Sequence, residues 1–345
     1  MVSIIILNYN GKEFLEKCLS SVLGQSYSDF EIIFIDNASQ DDSFGFVKKN
    51  FTDSRLKCYK AEKNLGFAGG NNFGYSYCSG EYIVLLNNDT VVDKDWLKYL
   101  VQTIKSDRYI GIVQSLVYTE GIPVKYYEMN GTINLLGHNV MGFFEIDREG
   151  RGEILQANGA SVIINRELIE KTGRLFLDEY FLYAEDTYLS LKARFCGYQV
   201  LHNSKSIVHH KGNATTGKQV RADLYFYQER NRLLNFFLFF DSKFIAKYIP
   251  VFILNYKLKF LYCLFSKKYS MKGLFRSYFW FWKNIKWIKK QRKIIKGYKE
   301  VKDNDILRMI SCKIFNGENI LERFFNCILF LYCVLTFIKV YENAK

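Results

Sequence analysis

The string "LLNNDT", Leu85 to Thr90, sets the carboxylate of Asp89 behind the amides of Asn87 and Asn88. Hard oxygen donors of this kind suit Mg2+ or Mn2+, ions that keep several waters and bridge to phosphates. A polar turn, with Thr90 or Asp93 capping the next helix, is the other reading. A second string, "YFLYAEDTYLSLKARFCGY", places Glu185 and Asp186 at a helix start behind an aromatic run. Partial desolvation there raises a carboxylate toward general-base use, and the helix dipole favours an anion at the same place; a plain capping pair is the alternative.

Four further strings add to this set. "IVHHKGNATTG" supplies His209 and His210, which a strand turns to opposite faces, so that one of them can join a metal or phosphate site. In "YFYQERNRLLNFF", Arg230 either clamps a phosphate by its planar fork or is solvated. Asp36, in "FIDNASQDD", ends an apolar run where its carboxylate can accept hydrogen bonds from a base or ribose, or cap a helix as Asp41 and Asp42 can. "NLGFAGGNNFG" combines small residues with side-chain amides and permits close backbone approach to a ligand, although it is no dinucleotide fingerprint, which would follow the first strand.

Positioning these residues requires strands that end together. "VSIIILNY" is a β-branched run expected to be buried on both faces, and the stretch after Gly11 has Phe14, Leu15, Cys18, Leu19 and Val22 on one side of a helix. The strand–helix alternation recurs through "FEIIFIDN", "LKCYKAE" and "EYIVLLNND", predicting an α/β fold with a mainly parallel central sheet flanked by helices. Ligands in such sheets bind at the carboxyl ends of strands. The clusters "NYNG" (Asn8, Asn10), "DNASQDD", "EKNLGFAGGNN" and "NNDT" all fall there. Short strands are expected at "GIVQSLVY", "ILQANGASVII" and "YQVLHNSKSIVHH", and a helix at "AEDTYLSLKARFCG".

Charge divides the chain near residue 240. Residues 1–240 carry 26 Lys and Arg against 28 Asp and Glu, whereas residues 241–345 carry 22 against 7, so the whole excess of +13 lies in the tail. That tail interleaves Trp280, Trp282 and Trp287 with lysines whose stems can snorkel toward anionic head groups. A membrane surface is the expected partner. Nucleic acid is excluded, since apolar stretches such as "FFNCILFLYCVLTFI" have no place in its grooves. Phe324 to Ile338 would span about 22 Å as a helix, short of the roughly 30 Å hydrocarbon core, so the tail is expected to lie in one leaflet. A helical bundle packed on the first domain is the rival. Eight cysteines form no CxxC pair, and the N-terminus starts as a strand with no cleavage site, which points to the cytoplasmic face of the membrane.

From Val2 to about Asn235 the ordered strings resemble the inverting family 2 glycosyltransferases of GT-A fold, and most closely their rhamnosyltransferase-like branch. The resemblance implies a catalytic domain over residues 1–240 and a basic, aromatic, membrane-associating helical extension over 241–345. It implies a nucleotide-sugar donor held by Asn8, Asn10 and Asp36, by Asn64, Gly66, Phe67, Gly70 and Asn71 of the Gly-rich loop, by Asn87 and Asn88, and by Arg230 through a diphosphate or lid contact. It assigns Asp89 as the last carboxylate of the family's Asp-x-Asp motif, with Asn87 where the first would stand. His210 completes the divalent-metal or diphosphate site. Asp186 becomes the base, Glu185 an acceptor contact or loop-orienting group, and a lipid-linked saccharide the acceptor. A catalytically silent glycan-binding scaffold and a soluble enzyme with a dimerising tail are the rival functions.

Overall fold

The computed structural model describes residues 1–120, 130–141, 145–212, 222–265, 269–314 and 320–343. The string from 213 to 217 that extends "VHHKG" lies outside them. The first half of the chain runs β1 (Val2–Asn8), α1 (Lys12–Leu23), β2 (Phe30–Asp36), α2 (Ser43–Asn50), β3 (Leu56–Lys60), α3 (Gly66–Tyr75), β4 (Tyr82–Asn87), β5 (Thr90–Val92) and α4 (Trp96–Ile104). It continues through β6 (Ile110–Thr119), β7 (Asn130–Ile133), β8 (Asn139–Met141), β9 (Arg151–Glu153), β10 (Ser161–Asn165), α5 (Arg166–Thr172), α6 (Glu185–Phe195) and β11 (Gln199–His210).

The sheet order is β3-β2-β1-β4-β10-β6-β11-β5, with β9 beside β11. β3, β2, β1 and β4 are mutually parallel, as the buried apolar runs predict. In register, Asn8 stands beside Asp36 and Leu7 beside Asn87, so the polar strand ends are level. Three strands depart from the parallel pattern: β10 is antiparallel to β4 and β6, and β5 and β9 are each antiparallel to β11. "ILQANGASVII" is a strand only over Ser161–Asn165. Ahead of it the backbone is satisfied by side chains, Ala157 N–H donating to Ser190 Oγ and Asn158 N–H to Gln114 Oε1, which leaves room for a turn at Gly159.

Strand alternation splits the core between the two faces. Ile4 and Ile6 pack with Leu15, Cys18, Leu19 and Val22 of α1 and with Leu97 and Leu100 of α4. Ile5, Ile33 and Ile35 face α3, α6 and the C-terminal helices. Truncating a fully buried residue such as Leu19 to Ala costs about 2–5 kcal/mol.

The C-terminal helices are α7 (Ala222–Phe239), α8 (Ser242–Phe265), α9 (Met271–Lys283), α10 (Ile285–Tyr298), α11 (Asp303–Leu307) and α12 (Ile320–Leu335). Their buried residues Phe244, Tyr248, Ile288, Ile295, Leu329 and Cys333 join the second apolar cluster directly. Lys259 of α8 donates to Glu229 of α7 at 2.6 and 2.8 Å, and Arg232 donates to the same carboxylate at 2.5 Å. α8 is nonetheless the one helix among the described residues long and apolar enough to cross a bilayer, with 22% of its apolar window buried. Among the described residues, every exposed large apolar side chain except Met1, Val91, Tyr109 and Ile146 lies between residues 249 and 337.

Candidate functional site

The level ends of β1, β2 and β4 build one wall of the site. Asn8, fully buried, donates to Ser39 Oγ at 3.2 Å and accepts from Asn88 Nδ2 at 2.6 Å. Ser39 N–H donates to Asp36 Oδ2 at 3.2 Å, and Lys60 Nζ stands 3.9 Å from the same carboxylate. Asn10, in a left-handed conformation (φ 52°), accepts from Gln40 N–H at 2.7 Å. These three side chains organise the 36–40 loop, and none of them lines the cavity in front of it.

That cavity, about 310 Å³, is lined by Asn64, Gly66, Phe67, Asn87, Asn88, Asp89 and His210 from the sequence candidates, together with Leu7, Tyr9, Asn37, Phe181, Leu182 and Tyr183. Two donor-loop candidates stand outside it. Gly70 lets α3 close on β1, since a Cβ there would lie 2.5 Å from Leu7 Cδ1. Asn71 is buried and donates to Phe67 O at 2.9 Å. Asn37 escaped the sequence reading although it follows Asp36 directly; it donates to Asn64 Oδ1 and Gly66 O, both at 3.1 Å, and so shapes the Gly-rich loop. Phe181 to Tyr183 belong to the aromatic run ahead of Glu185, but nothing in the sequence marked them as cavity lining, because Phe181 and Tyr183 adopt backbone conformations normally left to glycine.

The expected role of the Gly-rich loop changes in one respect. Its backbone donors are already engaged: Leu65 N–H by Asn37 Oδ1 at 2.9 Å, Gly66 N–H by Asn64 Oδ1 at 2.8 Å, and Phe67 and Ala68 N–H by Phe181 O at 2.6 and 3.2 Å. The start of α3 therefore offers a ligand its side chains and its closeness rather than free amides.

Asp89 and His210 meet because β11 runs antiparallel to β5, pairing His210 with Thr90. His210 Nε2 lies 3.0 Å from Asp89 Oδ1 and 3.3 Å from Asn87 Nδ2. His209 points the other way, 58% exposed, 3.3 Å from Asp93 and stacked on Tyr118. Among the described residues no three His, Cys, Asp or Glu side chains gather as a metal site. One carboxylate and one imidazole still suit a divalent cation that completes its shell with water and phosphate oxygens. Beyond them opens a second cavity of about 520 Å³, sharing Asp89 and His210 and lined also by Glu13, Lys17 and Lys211.

Glu185 and Asp186 open α6 on the other flank. Glu185 is buried, and its Oε2 has no hydrogen-bond partner among the described residues. Burial, reinforced by the charge of Asp186, holds its pKa well above the ordinary carboxylate range. Asp186 is half-buried, and burial raises its pKa too, against the lowering effect of hydrogen bonds from Thr187, Gly159 and Gln156. Neither Glu185 nor Asp186 lines the cavity; a Cβ on Gly159 would stand 3.5 Å from Asp186 Cβ and 3.7 Å from Phe67 Cζ, so Asp186 lies close behind Phe67, a residue that does. A partly buried carboxylate with a raised pKa, as Asp186 is, can take a proton from a hydroxyl that reaches it.

Arg230 is not where a diphosphate clamp would need it. It is 4% exposed and does not line the cavity. Its guanidinium donates to the carbonyls of Glu179 and Tyr180 and lies over the rings of Phe226, Tyr227 and Trp280. The aromatic cage desolvates it and lowers its pKa to about 10, so it holds the loop before the carboxylate pair.

Comparison with known proteins bears on the family and the fold. Residues 3–173 match the family described as Glycosyl transferase family 2. An uncharacterized glycosyltransferase of Haemophilus influenzae is 27% identical over 244 residues, 66% of this chain and 74% of that protein. The Escherichia coli UDP-Glc:alpha-D-GlcNAc-diphosphoundecaprenol beta-1,3-glucosyltransferase WfaP is 38% identical over 89 residues, 26% of this chain and 35% of that one. The chain spans less than half the length of several other curated relatives that it matches. A crystal structure of GalNAc-T7 with UDP, GalNAc and Mn2+ superposes with a TM-score of 0.61 at 17% identity, over 72% of this chain and 50% of that one. Through residues 3–173 the chain belongs to glycosyl transferase family 2, and its sheet and helices form the GT-A fold.

Proposed function

We propose that the protein is an inverting glycosyltransferase of the rhamnosyltransferase-like branch. It moves a hexosyl or rhamnosyl group from a nucleoside-diphosphate sugar to a hydroxyl of a lipid-linked saccharide, at the cytoplasmic face of a membrane. The observation that carries this reading is one cavity lined by Asp89 and His210, with Asp186 close behind its lining residue Phe67. The acceptor oxygen attacks the anomeric carbon from the face opposite the diphosphate, the anomeric C–O bond breaks, and Asp186 accepts the hydroxyl proton. Glu185, whose buried Oε2 has no partner among the described residues, hydrogen-bonds the acceptor. A divalent cation held by Asp89 and His210 would neutralise charge on the departing diphosphate. Mn2+ accompanies UDP in the GalNAc-T7 structure, which supports that choice of ion.

Residues 1–240 supply this chemistry in our reading, and residues 241–345 supply the membrane contact. α9 exposes Phe275, Phe279 and Trp282 at helical spacing, and α10 exposes Lys286, Lys289, Lys290, Lys293 and Lys296 opposite its buried Ile288 and Ile295. An aromatic stripe beside a cationic one suits the interface of an anionic bilayer, and WfaP is named for a polyprenyl-linked substrate. The presence of Asn87 where a carboxylate would strengthen the metal site favours the second reading, a catalytically silent glycan-binding scaffold. Release of nucleoside diphosphate from a panel of UDP-, dTDP- and GDP-sugars with Mn2+, compared with Asp186→Ala, tests both. Turnover that depends on Asp186 supports the enzyme; none with any donor supports the scaffold.

A further inference from the structure

The chain entering the carboxylate pair is held with unusual completeness. Phe181, Tyr183 and Ala184 all have left-handed backbones, with φ of 59°, 72° and 58°, a conformation that costs any residue with a Cβ and persists only when its surroundings enforce it. Every carbonyl from residue 179 to 184 has a partner. Arg230 takes those of Glu179 and Tyr180. The amide of Asn231 donates to Tyr180 O at 2.9 Å, Leu182 O at 2.9 Å and Tyr183 O at 2.7 Å. Asn235 donates to Ala184 O at 3.0 Å and accepts from the Tyr180 hydroxyl at 2.5 Å. Phe181 O is taken from the opposite side by the first amides of α3.

Asn231 is central to this grip. It is fully buried, its own Oδ1 accepts from Arg230 Nε at 2.8 Å, and its Nδ2 faces three acceptors at once. One face of α7 therefore reads the loop's carbonyls as a template, and α6 begins at the next residue. A helix whose first residues are the reactive ones has its phase and direction set by the four residues before it. Errors in that lead-in pass directly to the positions of both carboxyls.

We propose that Asn231, assisted by Asn235, is a positioning residue of the transfer reaction: it enforces the left-handed 181–184 loop and thereby fixes Glu185 and Asp186 against the donor cavity. The proposal rests on the reading of Asp186 as the base. It assigns α7 a function beyond packing, because the same loop also supplies Phe181, Leu182 and Tyr183 to the cavity wall. Catalytic geometry and donor shape are set by one element.

The test compares the full chain with Asn231→Ala, Asn231→Ala/Ala184→Gly and Asp186→Ala. Three readouts are taken: melting temperature, peptide-resolved hydrogen exchange, and transfer kinetics with the donor panel as a function of pH. Asn231→Ala is expected to speed exchange in peptides covering 180–188 while sparing α1, and to lower kcat roughly 10²-fold, the loss that small misplacement of reacting groups brings. The acid limb of kcat moves toward the ordinary carboxylate range as the loosened loop admits water to the pair. Adding Ala184→Gly relieves backbone strain and recovers melting temperature but not kcat. Recovery of both would reduce Asn231 to a stabilising role and overturn the proposal, as would wild-type exchange and kcat in a folded Asn231→Ala. If that variant does not fold, Asn231→Ser, which keeps one donor, carries the same measurements. Full turnover by Asp186→Ala overturns the reading of the base instead, so the two failures are distinguishable.

Discussion

His210 Nε2 and Asp89 Oδ1 stand 3.0 Å apart at the ends of two antiparallel strands, and together they form the partition between two open cavities. Two side chains 121 residues apart in sequence are brought together there, with Asn87 3.3 Å from the imidazole, as a polar cluster open to both cavities.

The first prediction follows from that donor set. Asp89→Asn removes its one carboxylate and is expected to raise the Mn2+ concentration for half-maximal transfer by about tenfold or more, equivalent to about 1.4 kcal/mol. Asn87→Asp adds a carboxylate beside His210 and lowers the same concentration. Titrating Mn2+ after chelation with EDTA measures both. An Asp89→Asn chain with an unchanged Mn2+ curve would return "LLNNDT" to being a turn.

Glu185 gives a prediction in pH. Burial and the charge of Asp186 raise its folded pKa above the value of about 4.3 that an unfolded chain shows. The folded state therefore holds a proton that the unfolded state gives up. Its contribution to stability is complete below the unfolded value and is lost as pH rises through the folded one. Glu185→Gln cannot lose that proton, so its melting temperature relative to wild type should climb with pH between about 5 and 9. Parallel curves would show that Glu185 is not raised.

How much of this was legible in the sequence depends on the range of the forces involved. β1, β2 and β4 were readable because residues buried on both faces must be apolar throughout, and the level of Asn8, Asp36 and Asn87 follows once those strands are parallel. Strand alternation showed only that His209 and His210 face opposite ways; that His210 is the one beside Asp89 follows from the antiparallel register with β5, which no local pattern gives. Asn37 was overlooked beside a more acidic neighbour, and Gly70 was read as a ligand contact when its missing Cβ serves Leu7. Arg230 was misplaced because a guanidinium next to apolar sequence looks the same whether it faces phosphate or carbonyls. The antiparallel β10 is set by its pairing with β4 and β6, and the left-handed 181–184 loop by tertiary hydrogen bonds from α7 and α3; no local pattern exists for either.

The buried carboxylate of Glu229 supports a stability prediction. It is 2% exposed and balances both Arg232 and Lys259, whose pKa burial lowers to about 7. Glu229→Gln leaves the buried Arg232 without its counter-charge and drives Lys259 toward its neutral form, and should cost about 3–5 kcal/mol. Urea unfolding reads the loss directly. A cost below about 1 kcal/mol would mean that water already reaches the cluster.

Gly66 tests the closeness of the donor loop to the 181–184 segment. Its φ is 71°, and a Cβ there would lie 2.4 Å from Phe181 O. Gly66→Ala is expected to destabilise by about 1–3 kcal/mol, because backbone atoms on both sides must move. It should also weaken donor binding, since the displaced atoms line the cavity. Asn71→Ala, one turn further on and away from the cavity, should leave the donor KM within about twofold, well under the ~1.4 kcal/mol of a tenfold change.

The tail yields the last prediction. Trp282 is 83% exposed at the end of the α9 stripe, and the lysines of α10 stand on the face opposite its buried residues. A soluble dimerising tail would bury that aromatic stripe against a second copy and would be indifferent to lipid charge. An interfacial tail binds vesicles containing phosphatidylserine, releases them as salt rises, and ignores neutral ones, because screening acts on exposed charge. Each lysine near an anionic surface contributes about 1 kcal/mol. Lys286→Gln, Lys289→Gln and Lys293→Gln together should therefore weaken vesicle co-sedimentation by two orders of magnitude or about 3 kcal/mol, leaving donor hydrolysis in solution intact. Trp282→Ala should weaken binding without changing its salt dependence, since it removes apolar insertion and no charge. Equal partition of wild type and the triple variant onto anionic vesicles would remove the membrane from the proposed function while leaving the chemistry of Asp89 and Asp186 untouched.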